Sequence, residues 1–187
     1  MIKLLPCAFL TLTLLPLHLM AAPAAPTPAA LTPLIKAISQ RLEIANDVAL
    51  SKWYSGKPVQ DTDRERQVIA SATAKAGDFR LSRDDASQFF AAQIEANKMV
   101  QYARLAQWHA TGTAPANPAQ SLASDIRSRL DTLQPILLTS YAAFSPYRKD
   151  VACPDWVRAA SELQATDPVM SSALARAVGD LCIPRKK

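Results

Sequence analysis

The stretch LIKAISQRLEIANDVALSK, residues 34–52, decides the fold class of this 187-residue chain. Steps of four and three residues through it place six side chains on one helical face, namely Leu34, Ile38, Arg41, Ala45, Val48 and Lys52. Four of the six are apolar, so the face is typical of a helix that packs against a core. The other two are cations, and a buried cation without a partner is costly. The stretch therefore predicts an amphipathic helix whose inward cations bind an anion.

The spacing of the two cations indicates the size of that anion. Arg41 and Lys52 are separated by about three helical turns, with a residual rotation of about 20° and about 16 Å between their Cα atoms. Two long side chains that lean towards each other leave room for one small dianion. The alternative is a pair of solvated surface cations. The apolar residues on the same face weaken that alternative, because the polar residues of the stretch occupy the other faces.

The remaining chain predicts a single all-α domain of about six helices, with one long central helix. Capping and helix-breaking residues mark the ends: Thr32-Pro33 starts the first helix, Asp61 or Thr62 caps the second, and Ser82 caps the long third. No stretch of alternating β-branched residues predicts a strand. The predicted helices run over about 32–54, 62–76, 83–110, 122–143, 154–165 and 168–181.

The N-terminal segment is typical of an exported protein. Lys3 precedes an apolar run over residues 4–20 and then small residues, which predicts a cleaved signal peptide over residues 1–22. An Ala/Pro leader at 23–30 and a helical domain at 31–187 follow. A transmembrane anchor is the alternative, and the prolines within the apolar run disfavour it. We therefore expect a periplasmic or secreted protein that is free of the membrane after cleavage.

The cysteines remaining after such cleavage form one pair. Cys153 and Cys182 follow the signal segment, and an even number of cysteines in an exported protein predicts a disulfide. The bond would close a hairpin made of the last two helices. It is expected to stabilise the C-terminal part of the chain rather than to organise the whole fold.

Composition excludes several kinds of site. His109 is the one histidine beyond the signal segment, no metal-ligand spacing is present, and the chain has four glycines and no glycine-rich phosphate loop. We therefore expect no metal, no cofactor and no catalytic nucleophile. The formal net charge of +5 favours small anionic ligands and gives no case for nucleic acid, which requires a clustered basic face.

Other helices carry polar residues with two readings each. Asn97 and Gln101 lie one turn apart on the apolar face of the third helix, where they either satisfy each other or bind a ligand. Asp61 fits a helix N-cap and Thr62-x-x-Glu65 fits a capping box, so that segment alone would not indicate a site.

Three segments taken together resemble one family. RLEIANDVALSKW at 41–53, PVQDTDRE at 58–65 and FFAAQIEANKMVQY at 89–102 resemble the all-helical (AroQ-class) chorismate mutases. The signal peptide, the chain length and the C-terminal cysteine pair are similar to the secreted (gamma) subclass. The resemblance covers residues 34–108 closely and the remainder loosely. It implies conversion of chorismate to prephenate by a pericyclic Claisen rearrangement, which needs no cofactor.

The resemblance also implies roles for individual residues. Arg41 matches an arginine that pairs with a substrate carboxylate, and Lys52 matches a lysine that contacts a carboxylate and the breaking ether oxygen. Gln101 matches the second donor to that oxygen. The remaining matches line the site: Glu65 as acceptor for the ring hydroxyl, Asp61 and Arg64 beside it, and Asn97 near the ring carboxylate.

One position stays open between two arginines. The secreted subclass completes its site from a later helix of the same chain, and Arg127 fits that position best, with Arg129 as the alternative. Family members are often dimers, so the resemblance favours a homodimer. Two rival functions remain, a non-catalytic helical module that binds small dianions and a periplasmic adaptor or chaperone.

Overall fold

The described part of the chain folds into six α-helices. The computed structural model describes residues 26–116 and 122–184, and these ranges contain no strand. The helices are α1 (Leu31–Ser55), α2 (Thr62–Lys75), α3 (Arg83–Thr111), α4 (Leu122–Phe144), α5 (Cys153–Glu162) and α6 (Pro168–Val178). The all-α prediction is confirmed. The predicted signal peptide and residues 23–25 of the leader lie outside the described residues.

The N-cap of helix α1 lies two residues before the predicted one. The sequence predicts Thr32 as the N-cap, but the observed N-cap is Ala30, whose side chain makes no capping hydrogen bond. Leu31 is fully buried, and its N–H donates to the carbonyl of Pro28 at 3.0 Å. Burial of Leu31 and this preceding turn therefore replace the hydroxyl cap.

Helix α1 lies at the centre of the packing. It contacts α3 and α4 most extensively, while α3 also packs against α2 and α6. The inward face of α1 supplies fully buried Leu34, Ile38 and Ala45 to a core that also contains Phe90 and Tyr141. This arrangement positions the functional site, because the same face of α1 continues past the core towards α2.

The C-terminal hairpin is closed as predicted. Cys153 and Cys182 form a disulfide with an S–S distance of 2.07 Å and a Cα–Cα distance of 5.9 Å. Helices α5 and α6 end three residues earlier than predicted, at Glu162 and Val178. The residues after α6 pair instead with Arg148, whose guanidinium donates to the carbonyls of Asp180 and Leu181. None of the helices in residues 26–116 and 122–184 contains an apolar stretch of membrane-spanning length.

The Arg148–Asp85 ion pair predicts how stability depends on pH. Asp85 accepts from the Ser82 hydroxyl and from buried Arg148, each at 2.6 Å. These bonds outweigh burial and lower the pKa of Asp85 below its ordinary value of 3.8. A carboxylate with a depressed folded-state pKa stabilises the fold above its unfolded pKa and loses that contribution as pH falls through the folded pKa.

Asp85→Asn is therefore expected to lower the urea midpoint at pH 7. The further decrease of the midpoint between pH 4 and pH 2 should be smaller in this variant than in the wild type. Urea unfolding across this range measures the effect. Asp84→Asn, in the same helical turn, is the matched control and should behave like the wild type. Equal pH dependence in Asp85→Asn and the wild type would contradict the prediction.

Candidate active site

A cavity of about 150 Å³ lies between α1, α2, α3 and α4. That volume admits one small molecule. Its wall contains seven charged residues and three amide side chains, drawn from all four helices and the loop before α2, together with six apolar residues. The lining residues are Arg41, Val48, Lys52, Val59, Asp61, Arg64, Glu65, Val68, Phe90, Ile94, Asn97, Lys98, Gln101, Leu130, Asp131 and Gln134.

Helix α1 brings both of its inward cations to this cavity. Arg41 is 6 % exposed, its Nε has no hydrogen-bond partner among the described residues, and Lys52 is half-buried along the same wall. Burial and then the charge of Arg64 lower the pKa of Arg41 to about 10. Because its electrostatic neighbour is a second cation, the Arg41 guanidinium faces a region that attracts an anion.

Helix α2 begins at the cavity. Asp61 is the N-cap, and its carboxylate accepts from the N–H of Arg64 at 3.1 Å. The predicted Thr62-x-x-Glu65 capping box is wrong, since Glu65 Oε1 accepts from the N–H of Asp61 at 3.3 Å. The return contact therefore reaches the residue that already provides the cap. It also holds Glu65 at the start of the helix, where its other oxygen can meet α3.

Helix α3 contributes two buried amides. Asn97 donates from Nδ2 to the backbone carbonyl of Arg41 at 3.3 Å, and Gln101 donates from Nε2 to Asn97 Oδ1 at 2.7 Å. Gln101 Oε1 is buried without a partner among the described residues. The two amides thus satisfy each other in part, which is one of the two interpretations that the sequence allows. Both amides also line the cavity.

Lys98 is a cavity residue that the sequence analysis missed. Its Nζ lies 2.7 Å from Glu95 and 3.3 Å from Glu65 Oε2. Burial acts to lower the pKa of Lys98, but its hydrogen bonds and charge interactions with Glu95 and Glu65 outweigh burial and raise that pKa. The signal was present, because steps of four residues from Phe90 and Ile94 reach Lys98. Lys98 fixes Glu65 across the α2–α3 contact.

The two candidate arginines of α4 have different surroundings. Arg129 pairs with Asp47 at 2.7 Å and Asp125 at 3.2 Å, which ties α4 to α1. Arg127 is exposed and is not among the residues that line the cavity, so its role in completing the site stays a prediction. It lines a shallow groove that shares Asp131 with the cavity.

Arg127 does not line the cavity because of its position along the axis of α4. Arg127 lies seven residues before Gln134, and therefore on nearly the same face of α4 but about 10 Å further along the axis. Helix α4 contributes Leu130, Asp131 and Gln134 to the wall instead. Gln134 Oε1 accepts from Ser71 and Lys75 of α2, at 3.1 Å and 3.0 Å.

A larger cavity of about 680 Å³ lies beside the α5–α6 hairpin. Its wall is mostly apolar, as at Val157 and Val178, and its charged residues include both signs, as at Asp150 and Arg158. No group of three or more His, Cys, Asp or Glu residues suited to a metal occurs in the described ranges. The convergent cations make the smaller cavity the better anion site.

Comparison with known proteins agrees with this site. The profile of the family Chorismate mutase type II matches residues 32–102. A secreted chorismate mutase of Mycolicibacterium smegmatis is 35 % identical over 156 residues, which are 81 % of this chain and 86 % of that protein. The chain belongs to the chorismate mutase family. The matched segment contains every candidate residue from α1, α2 and α3.

Solved structures of chorismate mutases share the fold. The crystal structure of the chorismate mutase from Burkholderia phymatum aligns with a TM-score of 0.79 and 42 % identity over 83 % of this chain and 97 % of that chain. The chorismate mutase from Burkholderia thailandensis aligns with a TM-score of 0.77 and 33 % identity over 83 % of this chain and all of that chain. The resemblance drawn from sequence motifs is therefore confirmed. Export is confirmed as well, because the named relatives are secreted.

Proposed function

We propose that this member of the chorismate mutase family converts chorismate to prephenate in the cavity between α1 and α4. The observation that carries the proposal is the buried guanidinium of Arg41, whose Nε has no hydrogen-bond partner among the described residues and which shares a cavity with Lys52 and Arg64. Such a cavity suits a small dicarboxylate. The rearrangement is intramolecular and needs no cofactor or nucleophile. Its product places the enzyme in aromatic amino acid biosynthesis.

The first task of the site is to select a compact substrate. Chorismate in water prefers an extended form, whereas the reaction needs the enolpyruvyl group folded over the ring. Arg41, with Arg64 beside it, binds one carboxylate of the substrate. Lys52 lies about three helical turns further along α1 on the same wall and binds the other carboxylate. Pairing each carboxylate at a fixed position holds the reacting carbons together.

The second task is to stabilise charge that develops during the reaction. As the ether C–O bond breaks and the new C–C bond forms, negative charge grows on the ether oxygen. Lys52 Nζ and an N–H of Gln101 donate to that oxygen in a partly desolvated cavity. Donors that are already in place stabilise the transition state more than the ground state.

The third task of the site is to position the substrate ring. Glu65 accepts the ring hydroxyl, while its own oxygens are held by the Asp61 N–H and by Lys98. Asp61 lines the same side of the cavity, and Asn97 lies on the α3 wall near the ring carboxylate. These contacts would distinguish chorismate from analogues without the hydroxyl, because a buried acceptor would then lack its donor.

Arg127 completes the proposed site when substrate is bound. Its groove meets the cavity at Asp131, one helical turn away, so a long guanidinium side chain can reach the cavity mouth. Arg129 is a poorer candidate, because two carboxylates already hold it. A cation that closes over a bound carboxylate contributes to binding and orientation without filling the unliganded cavity.

Arg127→Ala is therefore expected to lower kcat/KM by about 10-fold or more, the usual effect of losing a charge-assisted contact. Arg129→Ala is the matched comparison on the same helix. It should leave kcat/KM within about threefold of the wild type and lower the thermal midpoint slightly, since it breaks a partly exposed ion pair. Steady-state kinetics and thermal unfolding measure both. The opposite ranking of the two variants would assign the closing role to Arg129.

The proposed activity has a direct test. Purified protein lacking residues 1–22 is mixed with chorismate. The decrease in the ultraviolet absorbance of chorismate is followed together with the formation of prephenate. Saturable binding of chorismate without prephenate would favour the non-catalytic alternative. Absence of both would favour an adaptor. We further propose a homodimer on the family resemblance, which sedimentation of the same preparation tests.

A further inference from the structure

Three groups from α1 and α3 form a continuous chain of hydrogen bonds beside the cavity. The backbone carbonyl of Arg41 accepts from Asn97 Nδ2 at 3.3 Å. Asn97 Oδ1 then accepts from Gln101 Nε2 at 2.7 Å. Asn97 and Gln101 are 8 % and 5 % exposed, so water contributes little to satisfying either amide.

The direction of this chain has one solution. A backbone carbonyl can only accept, so Asn97 must turn its nitrogen towards Arg41. Its oxygen then faces Gln101, and Gln101 must present its nitrogen in return. Rotating the Gln101 amide by half a turn would bring two carbonyl oxygens together.

The chain is kept although it leaves a polar atom unsatisfied. Gln101 Oε1 is buried and has no partner among the described residues. A buried acceptor without a donor is unfavourable, so an amide that was free to rotate would favour another orientation. The contact with Asn97 therefore opposes a real cost, which is expected where orientation has a function.

We propose that Asn97 is a positioning residue that fixes the orientation of Gln101. It takes one of the two N–H groups of Gln101 Nε2 and thereby leaves the other for the cavity. This inference rests on the proposed function, in which that N–H donates to the ether oxygen. It follows that position 101 needs a side chain with two donors while Asn97 is present.

A double-mutant cycle tests the coupling. In Gln101→Glu the protonated carboxyl has one O–H, for which Asn97 Oδ1 and the ether oxygen compete. In Asn97→Ser/Gln101→Glu the serine hydroxyl can donate to the introduced carboxyl, which frees its O–H for the substrate. Asn97→Ser alone should lower kcat of the wild type, whereas in the Gln101→Glu background it should raise kcat by about 10-fold, within the range seen for coupled neighbours.

The four proteins are compared over the same acidic to neutral pH range, with thermal midpoints recorded to confirm folding. Asn97→Thr replaces Asn97→Ser if the serine variant unfolds. A decrease of kcat by the same factor in both backgrounds would overturn the proposal, because a merely structural asparagine predicts additive losses. The change of sign is the supporting result.

A second measurement separates this inference from the proposed function. In the side-chain ¹⁵N spectrum of the substrate-free wild type, the Gln101 proton that is donated to Asn97 Oδ1 should be protected from exchange, and Asn97→Ser should remove that protection. Absence of protection of this proton in the wild type would overturn the positioning role whatever the activity. A protected proton in a wild-type protein that does not convert chorismate would support the positioning role and reject the proposed activity.

Discussion

Lys52→Ala is expected to reduce kcat for chorismate by about 10²–10³-fold, the usual cost of removing one preorganised donor to a developing oxyanion. Lys52 supplies both a charge and a hydrogen bond from the last turn of α1, where Gly56 ends the helix by donating its N–H to the Lys52 carbonyl at 2.9 Å. Because the ether oxygen gains charge mainly in the transition state, kcat should fall more than the affinity for substrate.

Lys36→Ala is the matched control for this prediction. Lys36 lies on the exposed face of the same helix and does not line the cavity. Steady-state kinetics of both variants, with circular dichroism to confirm helix content, provide the measurement. Turnover of Lys52→Ala near that of Lys36→Ala would remove Lys52 from the mechanism.

Arg41→Met is expected to change activity and stability in opposite directions. Burial lowers the pKa of Arg41 from its ordinary value to about 10, so the folded protein binds this proton less tightly than the unfolded chain does. At neutral pH the charged side chain therefore opposes folding, by an amount on the order of 3 kcal/mol for a shift of this size. Methionine keeps the length of the side chain and removes the buried charge.

The expected result is a higher thermal midpoint together with a loss of kcat/KM of about 10²-fold or more, because one substrate carboxylate loses its charged partner. Thermal unfolding without substrate and steady-state kinetics test the two halves. Lys36→Met, on the exposed face of α1, should change neither strongly. A lower midpoint in Arg41→Met would show that the guanidinium stabilises the empty protein.

Helical periodicity predicted which faces meet, and this was enough for much of the site. Arg41, Lys52, Asn97 and Gln101 all reach the cavity because period and apolar neighbours determine the buried face of α1 and α3. The boundaries of α3 were also close, since Ser82 accepts from the N–H of Asp85 as a capping serine should. Cysteine number and context predicted the disulfide.

Periodicity did not give position along a helix axis or the partners of long side chains. Arg127 and Gln134 share a face of α4, but only Gln134 lies level with the cavity. Arg129 is held by Asp47, a contact between distant segments that no local pattern contains. The Lys98–Glu65 pair was missed for the same reason, as it depends on how α2 is placed against α3.

The disulfide makes the durability of this enzyme depend on the compartment that holds it. The bridge joins residues 29 apart and contributes no side chain to the small cavity. Closing a loop of that length is worth about 3–4 kcal/mol. In a reducing cytosol, packing alone would hold the hairpin, and the nascent chain would remain easier to unfold for translocation. Oxidation after export would then lock the tail, so the long-lived form arises only where the enzyme is deployed.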